Sequence, residues 1–127
     1  MSQNTITTLI GRQKMMKARA GEIELPKIIG AAFGDGGVDE TGAVIEPAPG
    51  QSTLNNELMR KEISGYEYTG TTTCRYTVSL SGSELAGEYI SEIGLYDEDG
   101  DLVCIKNFTK KGKEPDIEQT YNIDDIF

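Results

Sequence analysis

The chain contains no histidine and no tryptophan, and it has two cysteines among 127 residues. Without histidine the commonest general base is missing, and neither a Ser–His nor a Cys–His pair can activate a nucleophile. No closely spaced cysteine pair of the kind that binds zinc is present. Paired carboxylates remain conceivable, but the sequence shows no insertions that would form a substrate cleft between them. We therefore expect no enzymatic activity, no cofactor and no metal site.

Long apolar runs are also missing. No segment approaches the roughly 20 apolar residues that a membrane-spanning helix needs, and the short apolar stretch at 5–10 precedes the basic residues instead of following them, unlike a secretory signal. The sequence thus predicts no membrane insertion and assembly in a cytoplasm. In that reducing compartment Cys74 and Cys104 are expected to pack as small apolar side chains and not to form a disulfide.

Positive charge is scarce: 12 Lys and Arg stand against 21 Asp and Glu, for a net charge of −9. Such a chain lacks the basic surface that nucleic acid requires. Residues 1–27 are the exception, because they contain five basic residues and only two glutamates. They provide candidate contacts with an acidic neighbour or a sister chain, namely Arg12, Lys14, Lys17 and Arg19. The alternative is that these side chains form the solvated face of a helix.

The length predicts one domain, 1–127, and the pattern of elements predicts a β-rich α+β fold. An N-terminal helix is expected within 1–21, over residues 4–20, because Asn4 or Thr5 can cap its start and Gly21 can end it. Strands are predicted at 23–33, 63–68, 71–80 and 119–123, and a β-hairpin at 88–108. Residues 52–59 are predicted to form one helical turn after a long loop, 34–50. We expect the helix to pack beside an antiparallel sheet or small sandwich of five or six strands, followed by an extension at 109–127.

Five residues at the centre of the hairpin, 97–101, have the composition of a tight turn (Asp-Glu-Asp-Gly-Asp). Aspartate bonds its own backbone, and glycine takes positive φ without steric penalty. A calcium loop is the alternative. It is disfavoured because an EF-hand needs glycine at its sixth position and glutamate at its twelfth, whereas here Gly100 is fourth and Phe108 is twelfth.

A second glycine-rich segment, Gly34-Asp35-Gly36-Gly37, superficially resembles a phosphate-binding loop. It lacks the lysine and the serine or threonine of a P-loop, and no helix follows it. We predict a tight turn with positive φ, in which Asp35 bonds local backbone amides.

Three segments, taken in order, resemble the N-terminal domain of phage tail-collar fibre proteins. They are Phe33-Gly-Asp-Gly-Gly37, Thr53-Leu-Asn-Asn-Glu57 and Glu92-Ile-Gly-Leu-Tyr-Asp-x-Asp-Gly-Asp-Leu-Val103. The resemblance covers about residues 4–108, and 109–127 have no clear counterpart. The positions that match the family pattern are expected to have structural roles: Gly34, Asp35, Gly36, Asn56, Glu57, Glu92, Gly94, Leu95, Asp97 and Gly100.

This resemblance implies a structural protein that attaches a tail fibre or receptor-binding assembly to the baseplate of a contractile-tailed phage or tail-like bacteriocin. It implies a homotrimer, with baseplate proteins and a fibre shaft as partners and the virion tail as location. Many relatives continue into a long shaft that is not seen here, so we expect either a stand-alone connector or part of a fibre. The alternative is a small β-sandwich binding module, for which Tyr66 and Tyr68 could stack on sugars.

Glu57 and Glu92 each stand beside apolar residues, so a partly buried carboxylate is expected at both positions. A buried carboxylate requires hydrogen-bonded or charged partners. We expect Glu92 to hold a loop by accepting backbone N–H groups or by pairing with Arg60 or Arg75. Direct contact with a partner protein is the alternative.

Overall fold

The computed structural model describes residues 5–127, of which 49% are in strands and 9% in helix. The expected α+β class is therefore wrong: the described chain consists of two antiparallel sheets and one short helix. Among residues 5–127, eight strands form instead of the expected five or six. The elements in chain order are β1 (Thr5–Thr7), α1 (Leu9–Arg19), β2 (Ile28–Gly34), β3 (Glu57–Glu62), β4 (Gly65–Gly70), β5 (Thr73–Leu80), β6 (Tyr89–Asp97), β7 (Leu102–Gly112) and β8 (Gln119–Ile126).

The helix begins later than expected. Its N-cap is Thr8, whose Oγ1 accepts the N–H of Gly11 at 3.1 Å and donates to the carbonyl of Leu102 at 2.8 Å. The β-branched residues of β1 pair with β7 instead of joining the helix. The expected helix over 4–20 is thus too long at its start, and the other expected cap, Asn4, lies outside the described residues.

The helix ends as expected, in a left-handed residue. Gly21 has φ 84°, and the N–H of Glu22 donates to the carbonyl of Lys17 at 2.9 Å, as in a Schellman motif. Gly11 is buried, and a Cβ at that position would lie 2.8 Å from the carbonyl oxygen of Val103 in β7. This glycine lets the helix approach the sheet closely. No helix in the described part of the chain has the length and apolar character needed to cross a membrane.

The larger sheet has the strand order β1-β7-β6-β2-β3 and is buried on both faces near its centre. Its register places Ala31 beside Leu95, and the next row places Ala32 beside Gly94. Successive rows point to opposite faces of a sheet, and all four residues are buried. This double burial explains why β2 and β6 show apolar runs and not an alternating pattern.

The smaller sheet, β4-β5-β8, covers one face of the larger sheet. The alternation predicted for β5 is confirmed, since Val78 and Leu80 are buried and face this core. The rings of Phe33 and Tyr121 meet edge to face across the two sheets at 5.3 Å. The core between the sheets contains Ala31, Phe33, Val78, Leu80, Ile90, Ile93, Leu95, Cys104 and Ile123. We call the opposite face of the larger sheet its outer face, and Leu54 packs there against Leu102 and Ile105.

The helical turn predicted over 52–59 is wrong. Residues 57–62 form β3, which pairs with β2 at the edge of the larger sheet, and residues 52–56 end the preceding loop. Polar residues such as Ser52 and Thr53 occur at helix caps and in loops alike. Pairing with β2, which the local sequence does not show, decided the outcome.

Both cysteines are free thiols. Cys104 is buried in the core between the sheets, as expected, and burial raises the pKa of its thiol to about 12. Cys74 is only half-buried.

Candidate functional site

The three sequence segments meet at Glu92, whose side chain is fully buried on the outer face of β6. Its Oε2 accepts the N–H groups of Gly36 and Asn56, and its Oε1 accepts the N–H of Asn55, each at 2.8 Å. These donors lie at the two ends of the loop 35–56. One carboxylate therefore fastens both ends of the loop to the central sheet with charge-assisted hydrogen bonds. The expectation that Glu92 holds a loop through backbone N–H groups is confirmed.

Neither arginine considered as a partner of Glu92 pairs with it. Arg60 instead pairs with Glu57 at 2.9 Å, and Arg75 pairs with Asp124 at 2.8 Å. Glu57 is exposed, so the expectation of a partly buried carboxylate is wrong at that position. The two glutamates of the sequence pattern thus differ in role, because only Glu92 is buried and accepts backbone N–H groups.

The segment 34–37 needs glycine for space and not for positive φ. None of its three glycines, all of them within the described residues, has positive φ, so the turn predicted there is wrong. A Cβ at Gly34 would lie 2.5 Å from both the carbonyl oxygen of Asn56 and Oε2 of Glu92. The carboxylate of Asp35 accepts the side-chain amide of Asn56 at 2.6 Å, in place of the local backbone amides we expected. The glycines let the loop lie directly on the sheet.

Gly37 is the position where a side chain is least tolerable. An added Cβ would overlap the carbonyl oxygen of Ser91, in the buried strand β6. We expect Gly37→Ala to lower the free energy of unfolding by about 1–3 kcal/mol, because backbone on both sides must shift. Urea denaturation measures this loss. Gly50→Ala is the matched control, since it lies in the same loop with open space around it. Its expected change is within about 0.5 kcal/mol, and equal losses for both variants would contradict the explanation.

The tip of the β6–β7 hairpin is organised by a second buried carboxylate. Asp97 is 1% exposed, and its Oδ1 accepts the N–H groups of Asp99 at 3.0 Å and Asp101 at 3.2 Å. Gly100 has φ 85°, as expected for this turn, and its N–H donates to the carbonyl of Asp97 at 2.9 Å. The predicted hairpin is confirmed.

The other oxygens of the tip surround a lysine of the helix. Nζ of Lys14 lies 2.6 Å from Asp97, 3.0 Å from Asp99 and 2.8 Å from Asp101, and its side chain is 12% exposed. The three carboxylates are close enough together to resemble a cation site. In this fold the ammonium group is the cation they hold, so the helix is tied to the hairpin tip by charge.

Lys14 is held in its charged form. Burial disfavours the ammonium, but its hydrogen bonds to Asp101, Asp97 and Asp99 outweigh that effect and raise the pKa of Lys14 above its ordinary value of 10.5. A raised pKa in the folded state means that this contribution to stability is complete below pH 10.5. It is lost as the pH rises through the folded-state pKa.

We expect Lys14→Met to lower the free energy of unfolding by about 1–2 kcal/mol at neutral pH, because three carboxylates lose their common partner. The difference from the wild type should shrink as the pH rises above 10.5, because the unfolded wild-type chain then releases the proton that the folded chain still holds. Chemical denaturation across this range measures both effects. Lys17→Met, at an exposed position of the same helix, should change stability little. A difference that persists unchanged at high pH would argue against the ion cluster.

The four basic helix residues predicted as partner contacts therefore divide into two groups. Lys14 is bound within the chain, whereas Arg12, Lys17 and Arg19 are exposed. The three exposed residues remain predicted contacts with an acidic neighbour or a sister chain.

Two features of the site have no signal in the sequence. Lys14 and Asp97 are 83 positions apart, and nothing in either segment indicates that they pair. Asp125, near the end of β8, lines a cleft beside α1, although the sequence indicates only a short strand there. Both depend on how the two sheets and the helix are assembled.

Comparison with known proteins gives one finding. A family profile described as phage tail-collar fibre protein, N-terminal, matches residues 1–123. No curated protein matches the chain.

Proposed function

The chain belongs to the phage tail-collar fibre family, whose N-terminal domain spans nearly all of it, and on this basis we propose that it attaches a tail fibre or receptor-binding assembly to the baseplate. Membership makes it a structural protein of a phage tail, located in the virion tail and associated with other tail components. We further propose that the baseplate belongs to a contractile tail or tail-like particle, and that the protein assembles there in the host bacterial cytoplasm.

The observation that supports this proposal is the set of contacts that the motif residues make. Glu92 fastens a long loop, and Asp97 organises a hairpin tip that is tied to α1. These contacts stiffen the surface of a small β-structure, as expected of a component that joins two parts of a particle. We propose that the domain is not an enzyme, since its charged motif residues are used in hydrogen bonds that support the fold.

We also propose a homotrimer with the fibre shaft or receptor-binding component as a second partner. A cyclic trimer joins two different surfaces of each copy, and β4 and β8 leave two sheet edges for such contacts. Residues 109–127 are part of the two sheets, because they contain the end of β7 and all of β8. Light scattering of the purified protein should give three times the monomer mass of 13.8 kDa, and a stable monomer at assembly concentrations would contradict the trimer.

The attachment function is tested in the particle. Intact tails are purified from producing cells by sedimentation, and this chain is quantified in them by mass spectrometry. We expect a few copies per particle, together with cross-links to a baseplate protein. Free protein in the lysate and none in the particles would overturn the proposal.

A carbohydrate-binding module is the second candidate, favoured by one observation. Tyr66 and Tyr68 on β4 are 61% and 77% exposed, with ring centroids 5.9 Å apart. Exposed aromatic rings of this kind present flat apolar faces to a ligand. Binding of the isolated protein to a glycan array, lost in Tyr68→Ala, would favour this function over attachment.

A further inference from the structure

A cleft of ≈280 Å³ opens between α1, the segment before β2 and the end of β8. Its walls are largely apolar, and they include Met15, Leu25, Tyr76 and Phe127. Leu25 and Phe127 are 52% and 67% exposed. The volume is slightly below the range of about 300–1,000 Å³ found for small-molecule sites. It suits a single side chain and the backbone that carries it.

The cleft contains one carboxylate without a partner. Asp125 faces the core side of β8, in the register row of Cys74 and Tyr68, and it is half-buried. No residue of the described chain donates a hydrogen bond to Asp125 or forms a salt bridge with it. Burial raises the pKa of its carboxyl above the ordinary value of 3.8. The folded chain thus holds a carboxylate in a place that disfavours its charge.

The groups around Asp125 do not neutralise it. Tyr76 and Cys104 lie near it as neutral side chains. Lys14 and Asp97 line the same cleft, but they are paired with each other. Lys27 also lines the cleft, but it forms no salt bridge with Asp125, and burial alone accounts for the shift in the pKa of Asp125. Asp125 is therefore the carboxylate of this cleft that has no ion partner within the described chain, and an incoming cation would supply one.

The apolar surface continues beyond the cleft. Phe127 is also a wall of two adjoining depressions, one beside Tyr68 and Cys74 and one beside Ile6 and Pro49. Contiguous exposed apolar surface of this kind marks interaction sites in soluble proteins. The surface around the cleft is thus suited to an apolar segment, and Asp125 lies in one of its three depressions.

We propose that this cleft receives an arginine side chain carried on an apolar segment of another tail protein, with Asp125 as its ion partner. Arginine fits better than lysine, because guanidinium is weakly hydrated, stacks on aromatic rings such as Tyr76 and Phe127, and pairs with a carboxylate through two hydrogen bonds. A second copy of this chain, with a net charge of −9, offers mostly acidic surface, which Asp125 would repel. The inference rests on the proposed attachment function and names its surface.

The test is Asp125→Asn, measured for stability and for assembly. A raised carboxyl pKa means that the wild type loses stability as the pH rises from 3.8 towards the folded-state value. The variant avoids that loss, so its Tm at pH 7 should be about 2–5 °C higher than that of the wild type. At about pH 3 the wild-type carboxyl is protonated in both the folded and the unfolded state, and the two proteins should not differ. In producing cells that supply only the variant, we expect at least about tenfold fewer copies per tail particle. A gain in stability with a loss of assembly is the signature of an interface carboxylate.

The matched control is Asp124→Asn, on the opposite face of the same strand. It breaks the pair with Arg75 and should lower stability slightly while leaving incorporation unchanged. If Asp125→Asn is incorporated like the wild type, or loses stability together with assembly, the inference is overturned. In either case the attachment function stands, provided that wild-type protein is present in the particles.

A second measurement identifies the occupant. A photo-cross-linking amino acid replaces Phe127, and cross-linked peptides are sequenced from purified particles. We expect a segment of a second tail protein with an arginine among apolar residues. Cross-links confined to the same chain or to another copy of it, or to a segment without a basic residue, would overturn the proposed occupant.

Discussion

Glu92→Gln should lower the free energy of unfolding by about 2–4 kcal/mol, and the melting temperature by about 10 °C. Both oxygens of Glu92 accept backbone N–H groups, from Gly36 and Asn56 on one oxygen and from Asn55 on the other. Glutamine keeps one oxygen and replaces the other with a donor, so at least one of these N–H groups faces another donor. Calorimetry gives the melting temperature, and limited proteolysis shows whether the loop 35–56 is released.

The control for this result is Glu57→Gln, the same substitution at the other glutamate of the sequence pattern. Glu57 is exposed and pairs with Arg60 three residues along the chain. Such surface pairs contribute little, so a loss below about 1 kcal/mol is expected. If Glu92→Gln melts like the wild type but fails to enter tail particles, Glu92 contacts a partner and is not the anchor described above.

Asp97→Ala should cost about 2–4 kcal/mol of unfolding free energy and loosen the hairpin tip. The change removes the acceptor for the N–H groups of Asp99 and Asp101 and the most buried partner of Lys14. The turn then loses two side-chain hydrogen bonds that fix its shape, and the helix loses the most buried of its three ion pairs with the hairpin tip. Urea denaturation measures the first effect. Amide hydrogen exchange at residues 99 and 101, expected to accelerate, measures the second.

Asp99→Ala separates the buried carboxylate from its exposed neighbours. Asp99 contacts the same ammonium of Lys14, but its side chain is 58% exposed. It accepts none of the turn N–H groups that Asp97 holds. The expected loss is below about 1 kcal/mol. Comparable losses in the two variants would mean that the total charge of the tip stabilises it, and not the buried hydrogen bonds of Asp97.

Local patterns predicted the parts of the fold that depend on local chemistry. The hairpin turn at 97–101, the alternation of β5 and the end of the helix at Gly21 each follow from residues within a few positions. Two strands were missed for opposite reasons. β1 has three residues, too few to form a pattern, and β3 has the sequence Glu-Leu-Met-Arg-Lys-Glu, which favours helix. Its pairing with β2 overrides that preference.

The site was predictable only where the sequence neighbours of a residue indicate its surroundings in the fold. A glutamate among apolar residues indicated a buried carboxylate at Glu92, but the same argument failed at Glu57. The partners of Glu92 come from positions 36, 55 and 56, and that of Asp97 comes from position 14. Such distances are set by the packing of the sheets, which a single sequence does not contain. The close approach at Gly34 is also invisible in the sequence, because glycine serves turns and contacts alike.

Because Glu92 holds both ends of the loop 35–56, the length of this loop can change without altering the rest of the fold. Its two ends are held side by side, and its outer tip at residues 40–42 is exposed, with Gly42 in open space. Closing a longer loop on fixed ends adds only about 0.6 kcal/mol for each doubling of its length. Residues 40–42 are therefore a permissive place for insertion: foreign peptides or new recognition sequences can be added there while the eight strands keep their register.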